Sequence, residues 1–145
     1  MQRSETATPV ESPRQADTPD TPDIPDETFD PGPVPSDLPK ADLTENARTV
    51  LGKRYLRKNE DLEPIEEPEQ MFWRVARVIA EMDARYGASE DEVTETAREF
   101  YRMMAAGEFE PNSPTLMNAG RPLGQLSACF VLPVPDSLEG IYETL

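Results

Sequence analysis

Between residues 44 and 110 the hydrophobic positions recur with helical spacing, and they predict three helices separated by short breaks. The first helix begins after Thr44, a candidate N-cap, and Gly52 is expected to weaken it. A charged loop follows. The second helix starts near Pro68, ends at Gly87 and has the clearest amphipathic pattern in the chain. Its apolar face consists of Phe72, Val75, Ala76, Ile79 and Ala80.

The third helix is predicted from a capping box, in which Ser89 precedes Glu92 by three residues, and Gly107 is expected to end it. Because only a short glycine-containing turn separates the second and third helices, they are expected to pack as an antiparallel hairpin. The apolar stripe indicates core contacts rather than a cofactor site. It consists of Val93, Ala97, Phe100, Tyr101 and Met104.

After Glu110 the pattern changes from helical to extended. Closely spaced prolines and glycines between residues 111 and 124 predict a structured loop without a helix. The following run, "QLSACFVLPV", is short and almost entirely apolar, which predicts a strand buried on both faces, as in a parallel sheet or barrel. Asp136 and Ser137 then offer caps for a new helix. A buried strand without neighbours and an unfinished helix predict the front end of a larger protein, or half of a two-chain assembly.

Residues 1–43 have a different composition from the rest of the chain. They hold nine of the 16 prolines, ten acidic residues, three basic residues and one aromatic residue, Phe29. Such a segment buries too little apolar surface to offset its ordering entropy, so the sequence predicts a disordered acidic tail. About one hundred residues remain to form a core, which is an ordinary size for a small domain.

The net charge of −15 narrows the possible functions. There is no basic stripe, so nucleic-acid binding is not expected. The charge balance suits either a high-salt cytoplasm or a merely acidic protein. No apolar run has the length of a membrane helix and the N-terminus lacks the apolar core of a signal peptide, so a cytoplasmic location is expected. A single cysteine cannot form an internal disulfide. Because the chain has no histidine, a zinc site or a Cys–His nucleophile pair within it is not expected.

Three blocks of the sequence carry a resemblance to a known family. "LTENARTVLGKRYLRKN", "EEPEQMFWRVARVIA" and "FEPNSPTLMNAGRPLGQLSACFVLPVPDSLEGIYETL" resemble the N-terminal part of the catalytic chain of ribonucleotide reductases, most closely the adenosylcobalamin-dependent (class II) kind. The resemblance covers residues 43–145. It implies a mainly α chain with a helical N-terminal domain at residues 44–110. The first strand and helix of an incomplete ten-stranded α/β barrel are expected at residues 111–145.

The resemblance also implies a role for the only cysteine. Cys129, in "SAC", matches the cysteine on the first barrel strand of the family. It would be one of two thiols that supply electrons when the ribose 2'-hydroxyl leaves as water, and the pair would end as a disulfide. Apolar neighbours do not prevent this role, since a hydrogen-donating thiol need not have a low pKa. The alternative is a small buried hydrophobic residue.

Two further sets of positions carry over from the family. Ser113 and Ala128 match positions that, with Cys129, contact the substrate. The alternative for Ser113 is a Ser-Pro turn. Asp136, Ser137 and Leu138 match the helix start that binds the deoxynucleotide effector, and the alternative there is simple helix capping.

The resemblance implies partners that are not in this chain. These are a ribonucleotide substrate, either a di- or a triphosphate, a deoxynucleotide effector, a thioredoxin-like reductant, and the remainder of the reductase chain or a second subunit. The second redox cysteine, the radical cysteine and a cobalamin site have no match here, so the isolated chain is expected to be inactive. A proline-rich tail in place of an ATP-binding helical module favours class II. The alternatives are a segment of a class I large subunit, or a non-catalytic remnant that binds a nucleotide or a partner.

Overall fold

The computed structural model describes residues 28–145, which form five α-helices and one 3₁₀ helix. No strand is present within these residues, where an isolated antiparallel bridge joins Lys58 to Pro64. None of the helices in this part of the chain is long and apolar enough to cross a membrane. The predicted mainly helical fold is therefore confirmed. In chain order the helices are α1 (Glu45–Arg54), α2 (Pro68–Ala80), the 3₁₀ helix (Glu81–Tyr86), α3 (Glu90–Ala105), α4 (Ser113–Asn118) and α5 (Leu138–Thr144).

Helices α2 and α3 form the core as an antiparallel hairpin, as the periodicity predicts. Near the start of α2, the Trp73 ring packs edge-on against Tyr101 from the end of α3, with ring centroids 6.3 Å apart. Near the end of α2, Arg77 Nη1 donates to Thr94 Oγ1 from the start of α3 at 3.1 Å. The side chains between them are fully buried and include Met71, Phe72, Val75, Ala76, Val93 and Ala97.

The helix ends follow the predicted capping residues closely. The Ser89 backbone N–H donates to Glu92 Oε2 at 2.8 Å, and this bond holds the pKa of the Glu92 carboxyl below its ordinary value. Gly107, with φ of 71°, follows the end of α3. Helix α2 changes to 3₁₀ geometry before it reaches Gly87, whose φ of 96° ends the turn. The expected weakening at Gly52 does not interrupt α1.

Residues 28–43 pack along the helical hairpin as an extended strap. Trp73 Nε1 donates to the Pro31 carbonyl at 3.1 Å, and the Tyr101 hydroxyl donates to the Pro39 carbonyl at 2.8 Å. Burial raises the pKa of the Tyr101 hydroxyl, which keeps this donor protonated. The strap also places Val34 and Leu38 against the core.

The strap corrects the prediction of a disordered tail for residues 28–43. Proline carbonyls remain acceptors although proline lacks an N–H, and two aromatic side chains of the hairpin use them. Composition averaged over the segment could not reveal these distant donors. The rest of the predicted tail, residues 1–27, lies outside the described residues.

Helix α4 corrects a second prediction, because a loop without a helix was expected there. Asn112 caps the helix: its Oδ1 accepts from the Thr115 backbone N–H at 2.9 Å and from Thr115 Oγ1 at 3.1 Å. Pro114 occupies the second position of the helix, where the backbone N–H has no partner within the helix in any case. A proline so close to a helix start is therefore compatible with the helix.

A buried ion pair holds the end of α4 against α2. Arg74 is completely buried, and it pairs with Glu66 through two hydrogen bonds, Nε to Oε2 at 3.0 Å and Nη2 to Oε1 at 2.7 Å. The same guanidinium donates to the carbonyls of Leu116 at 3.1 Å and Ala119 at 2.5 Å. It therefore satisfies carbonyls that the end of a helix leaves without intrahelical partners.

The predicted buried strand at residues 125–134 is not formed in this chain. Residues 127–134 are exposed and form no backbone ladder with another segment of residues 28–145, so Cys129 is exposed rather than buried. A strand exists through ladder hydrogen bonds to a neighbour, and the described residues supply none. The α/β barrel stays a prediction, whereas the helix expected after Ser137 is present as α5.

Breaking the buried ion pair should destabilise the chain strongly. Arg74→Met leaves Glu66 buried without its guanidinium and two helix-end carbonyls without donors, which should cost about 3–5 kcal/mol. Urea unfolding of the 145-residue chain measures the loss. The control is Arg102→Met, whose exposed pair with Glu95 should contribute less than about 1 kcal/mol. Equal losses in the two variants would contradict the central role of Arg74.

Removing the cap of α4 should loosen that helix locally. Asn112→Ala deletes the acceptor for Thr115 and should cost about 1 kcal/mol. Hydrogen exchange at residues 115–119 should accelerate about fivefold, while exchange in α3 stays the same. Asn112→Asp keeps the acceptor and should preserve the protection. If the alanine variant also keeps it, Asn112 does not stabilise α4.

Candidate functional site

Ser113 lies at the first position of α4 with its side chain exposed. Its Oγ is 3.0 Å from the hydroxyl oxygen of Tyr55, a residue 58 positions earlier in the chain. Tyr55 caps the end of α1, and its side chain packs partly against the hydrophobic core. Two helices that are distant in sequence therefore meet at the Ser113 hydroxyl.

The segment that leads to Cys129 is anchored on the same short helix. Thr115 Oγ1 donates to the Leu126 carbonyl at 3.0 Å, and Asn118 Nδ2 donates to the Gln125 carbonyl at 2.8 Å. Leu126 also packs partly against the core. Residues 125–126 are thus fixed relative to α4, although they belong to no regular element.

Ala128 and Cys129 follow this anchor and are both exposed. Cys129 is the third residue after Leu126, and even a fully extended chain spans only about 10 Å over three residues. Chain connectivity therefore keeps the thiol near α4. No hydrogen bond in the described part of the chain joins Cys129 to Ser113. The apolar neighbours Phe130 and Val131 are exposed as well, at 63% and 97%.

Asp136, Ser137 and Leu138 lie at the start of α5 and have different roles there. Ser137 Oγ accepts from the Gly140 backbone N–H at 3.1 Å and is therefore the N-cap. Leu138 is the first residue of the helix and is 77% exposed. The Asp136 carboxylate makes no hydrogen bond or ion pair within residues 28–145, so capping does not occupy it. No hydrogen bond between described residues joins this helix start to Ser113 or Cys129.

A cluster of arginines supports the far side of α4. Arg57 Nη2 donates to the Gly120 carbonyl at 2.8 Å, and Arg57 lies close to Arg74 and Arg121. Burial, and then the charge of Arg74, lower the pKa of Arg57, while the Glu66 carboxylate opposes this effect. Arg57 and Arg74 thus bind backbone carbonyls at the end of α4 and directly after it. In a chain with a net charge of −15, positively charged side chains thus fix the backbone around residues 119–120.

The described residues bring no cluster of candidate metal ligands together, and the apolar cavity between α2 and α3 does not fit a cobalamin. Within residues 28–145 no group of three or more His, Cys, Asp or Glu side chains converges. A cavity of about 310 Å³ between α2 and α3 is lined by apolar groups that include Ile79, Phe100 and Phe109. It offers no polar partners for the amide-rich periphery of adenosylcobalamin, so we derive no step through that cofactor.

Sequence reasoning missed the residues that support the site. The run "PNSPTLMNAG" is rich in capping side chains, and Asn112 followed three residues later by Thr115 was a readable helix-start signal. No local signal points to Tyr55, because its partner lies 58 residues away. Arg74 has a weak signal: it is a charged residue among the apolar residues of "MFWRVARVIA".

Comparison with known proteins gives one family match and several relatives. Residues 41–124 match the family described as "Ribonucleotide reductase, all-alpha domain". The matched range continues past residue 110, where the sequence predicts a domain boundary, and that boundary stays a prediction.

The relatives include two vitamin B12-dependent ribonucleoside-diphosphate reductases. That of Thermoplasma acidophilum is 38% identical over 71% of this chain and 20% of its own length. That of Mycobacterium tuberculosis is 42% identical over 71% of this chain and 14% of its own length. The ribonucleoside-diphosphate reductase large subunit of Trypanosoma brucei brucei is 42% identical over 58% of this chain and 9% of its own length.

The chain thus spans a fifth or less of the length of these relatives. The family match itself covers more than half of the chain. The family match and the observed helical fold agree. This chain therefore belongs to the ribonucleotide reductase family and contains its all-alpha domain.

Proposed function

We propose that this chain is the N-terminal segment of a ribonucleoside-diphosphate reductase and that it contributes one redox-active thiol, Cys129. The observation that carries the proposal is the anchoring of residues 125–126 on α4. Cys129 is the third residue after Leu126, so the covalent chain keeps it within about 10 Å of this anchor. The helix that carries the candidate substrate contact Ser113 therefore also fixes the approach to the thiol. The diphosphate substrate follows the printed names of the relatives.

In this proposal the thiol is a reductant of the ribose. Cys129 and a second cysteine elsewhere in the enzyme together give up two electrons and two protons. The ribose 2'-hydroxyl leaves as water, a hydrogen takes its place, and the two sulfurs form a disulfide. A thioredoxin-like dithiol then reduces that disulfide and restores both thiols. The exposure of Cys129 suits this role, since its sulfur must meet a substrate and another cysteine in turn.

Ser113 and Ala128 are the proposed substrate contacts beside the thiol. The Ser113 hydroxyl is exposed and free of a capping role, because Asn112 caps α4. A neutral hydroxyl can hydrogen-bond to a ribose or phosphate oxygen without adding charge. Ala128 offers its backbone and a small exposed side chain, which allows a substrate to lie close to it.

We propose adenosylcobalamin as the cofactor of the whole reductase, with its site outside this chain. When bound, it would supply the radical that starts the reaction. The printed names of the Thermoplasma and Mycobacterium relatives support this choice. The large subunit from Trypanosoma bears no such name, so a class I enzyme is the alternative. In either class this chain alone lacks the second cysteine and should be inactive.

The start of α5 is the proposed binding site for the deoxynucleotide effector. Ser137 already serves as the helix cap, whereas the Asp136 carboxylate is exposed and without a partner among the described residues. A carboxylate in this position can accept a hydrogen bond from a sugar hydroxyl. The exposed Leu138 side chain offers an apolar contact for the ligand.

The redox role of Cys129 predicts that Cys129→Ser abolishes turnover of the assembled reductase with its thioredoxin-like reductant. A serine hydroxyl cannot form the disulfide, so an external dithiol should not restore activity. Deoxynucleotide formation measured by product chromatography should fall to background. Retained turnover would exclude the proposed role of this thiol.

The control for this variant is its stability. Because Cys129 is exposed, Cys129→Ser should leave the unfolding midpoint unchanged. A loss of activity in a protein of normal stability then reports chemistry rather than folding.

The effector role predicts a different result for Asp136→Ala. This change spares the Ser137 cap, so α5 should persist while the response of substrate preference to deoxynucleotides weakens about three- to tenfold. Effector titration of the assembled enzyme measures this shift. Ser137→Ala is the comparison, since it removes the cap itself. An unaltered effector response in the Asp136 variant would rule out the proposed contact between this carboxylate and the effector.

A further inference from the structure

The contact between Tyr55 and Ser113 points to a role for Tyr55 that no sequence motif indicates. We propose that Tyr55 is a positioning residue: it fixes the Ser113 hydroxyl so that the hydroxyl hydrogen points towards an acceptor oxygen of the bound nucleotide. The inference rests on the proposed function, in which Ser113 contacts the substrate.

Tyr55 is held firmly on its own side of the contact. Its backbone N–H donates to the Leu51 carbonyl at 2.8 Å at the end of α1, and its ring packs partly against the core. The hydroxyl at the tip of that ring reaches Ser113 Oγ at 3.0 Å. A rigid ring with few rotatable bonds is well suited to fixing the position of a small, mobile hydroxyl.

The two hydroxyl groups of α4 have different partners. Thr115 is buried, and its hydroxyl oxygen lies within hydrogen-bond distance of two acceptors, Asn112 Oδ1 and the Leu126 carbonyl oxygen, which share its one hydrogen. That hydrogen therefore serves the fold. Ser113 is exposed, and within residues 28–145 its side chain has Tyr55 as its hydrogen-bond partner. Asn112 already caps the helix. The Ser113 hydroxyl therefore keeps hydrogen-bonding capacity for a ligand.

The direction of the hydrogen bond decides what Ser113 can offer. Either hydroxyl could donate across the 3.0 Å contact. Because a phenol is a stronger hydrogen-bond donor than an aliphatic alcohol, the proposal assigns Tyr55 as the donor and Ser113 Oγ as the acceptor. The Ser113 hydrogen then remains available, and accepting one bond strengthens its ability to donate another. The chemical group that fits is an oxygen acceptor such as a phosphate or ribose oxygen of the nucleotide.

Without Tyr55 the serine hydroxyl would be free to rotate among its staggered positions. Binding would then have to select one orientation, and the substrate would bind more weakly. Tyr55 lies outside the chemistry itself, so this loss should affect KM and leave kcat nearly unchanged.

The test uses the assembled reductase with four variants in this chain. Tyr55→Phe keeps the ring and removes only the hydroxyl, and Ser113→Ala removes the group that it positions. The double variant combines these two changes. Tyr86→Phe is the matched control, since Tyr86 is 90% exposed and makes no hydrogen bond through its hydroxyl in the described structure.

We expect Tyr55→Phe to raise KM for the ribonucleotide about three- to tenfold, with kcat within about twofold. Ser113→Ala should raise KM at least as much, and the double variant should match Ser113→Ala because both changes disrupt one contact. Tyr86→Phe should have no effect. The unfolding midpoints of the two Tyr→Phe variants should agree with that of the parent.

Three outcomes would overturn the inference, and they point to different causes. If Ser113→Ala leaves KM unchanged, the proposed substrate contact fails, and the role of Tyr55 fails with it. If Ser113→Ala raises KM but Tyr55→Phe does not, the substrate contact stands and only the positioning role is lost. If the two effects add fully in the double variant, Tyr55 acts independently of Ser113.

Discussion

The buried ion pair between Arg74 and Glu66 is the interaction on which the site geometry depends. Removing two charges from water costs several kcal/mol per ion, and only good geometry with further hydrogen bonds offsets that cost. Here the guanidinium binds the carboxylate through two hydrogen bonds and donates two more to the carbonyls of Leu116 and Ala119. The ion pair and the end of α4 therefore stabilise each other. Without the ion pair the two carbonyls would lose their donors, and without α4 the buried guanidinium would lose two acceptors.

This arrangement explains how a helix of only six residues stays in place. An isolated helix of that length is not stable in water, so α4 depends on tertiary contacts. Asn112 caps its start, Arg74 binds carbonyls at its end, and Thr115 and Asn118 secure the chain that follows. The strap reaches the same region, since the Phe29 backbone N–H donates to the Gly120 carbonyl at 2.9 Å.

The sequence predicted the features that depend on residues close together in the chain. The hairpin of α2 and α3 follows from periodicity, and the Ser89–Glu92 capping box follows from a spacing of three residues. Features that rest on distant partners were missed. The strap depends on Trp73 and Tyr101, which lie about 40 and 60 residues from the carbonyls that they bind.

Helix α4 and the predicted strand show two further limits of local reasoning. The prediction of a loop at α4 is wrong because Pro114 lies in the first turn of the helix, where a proline does not break it. The strand at residues 125–134 was inferred from apolar composition, yet a strand requires a partner that composition cannot supply.

The residues of the candidate site also differ in how far the sequence predicts them. The site residues were identified by resemblance to a family, whereas the supporting contact from Tyr55 becomes visible only when α1 and α4 are brought together.

The described chain thus combines a helical base, formed by helices α1 to α4, with an exposed segment at residues 127–139. The base holds this segment at its start, through residues 125–126. The family match ends at residue 124, just before the anchor on Leu126, and the proposed thiol lies three residues beyond that anchor. The fixed position of Leu126 restricts where Cys129 can lie, while Cys129 and the residues directly after it are exposed. The physical contribution of the helical base is therefore preorganisation. It holds the segment that leads to Cys129 and the hydroxyl of Ser113, the proposed substrate contact, on a single short helix.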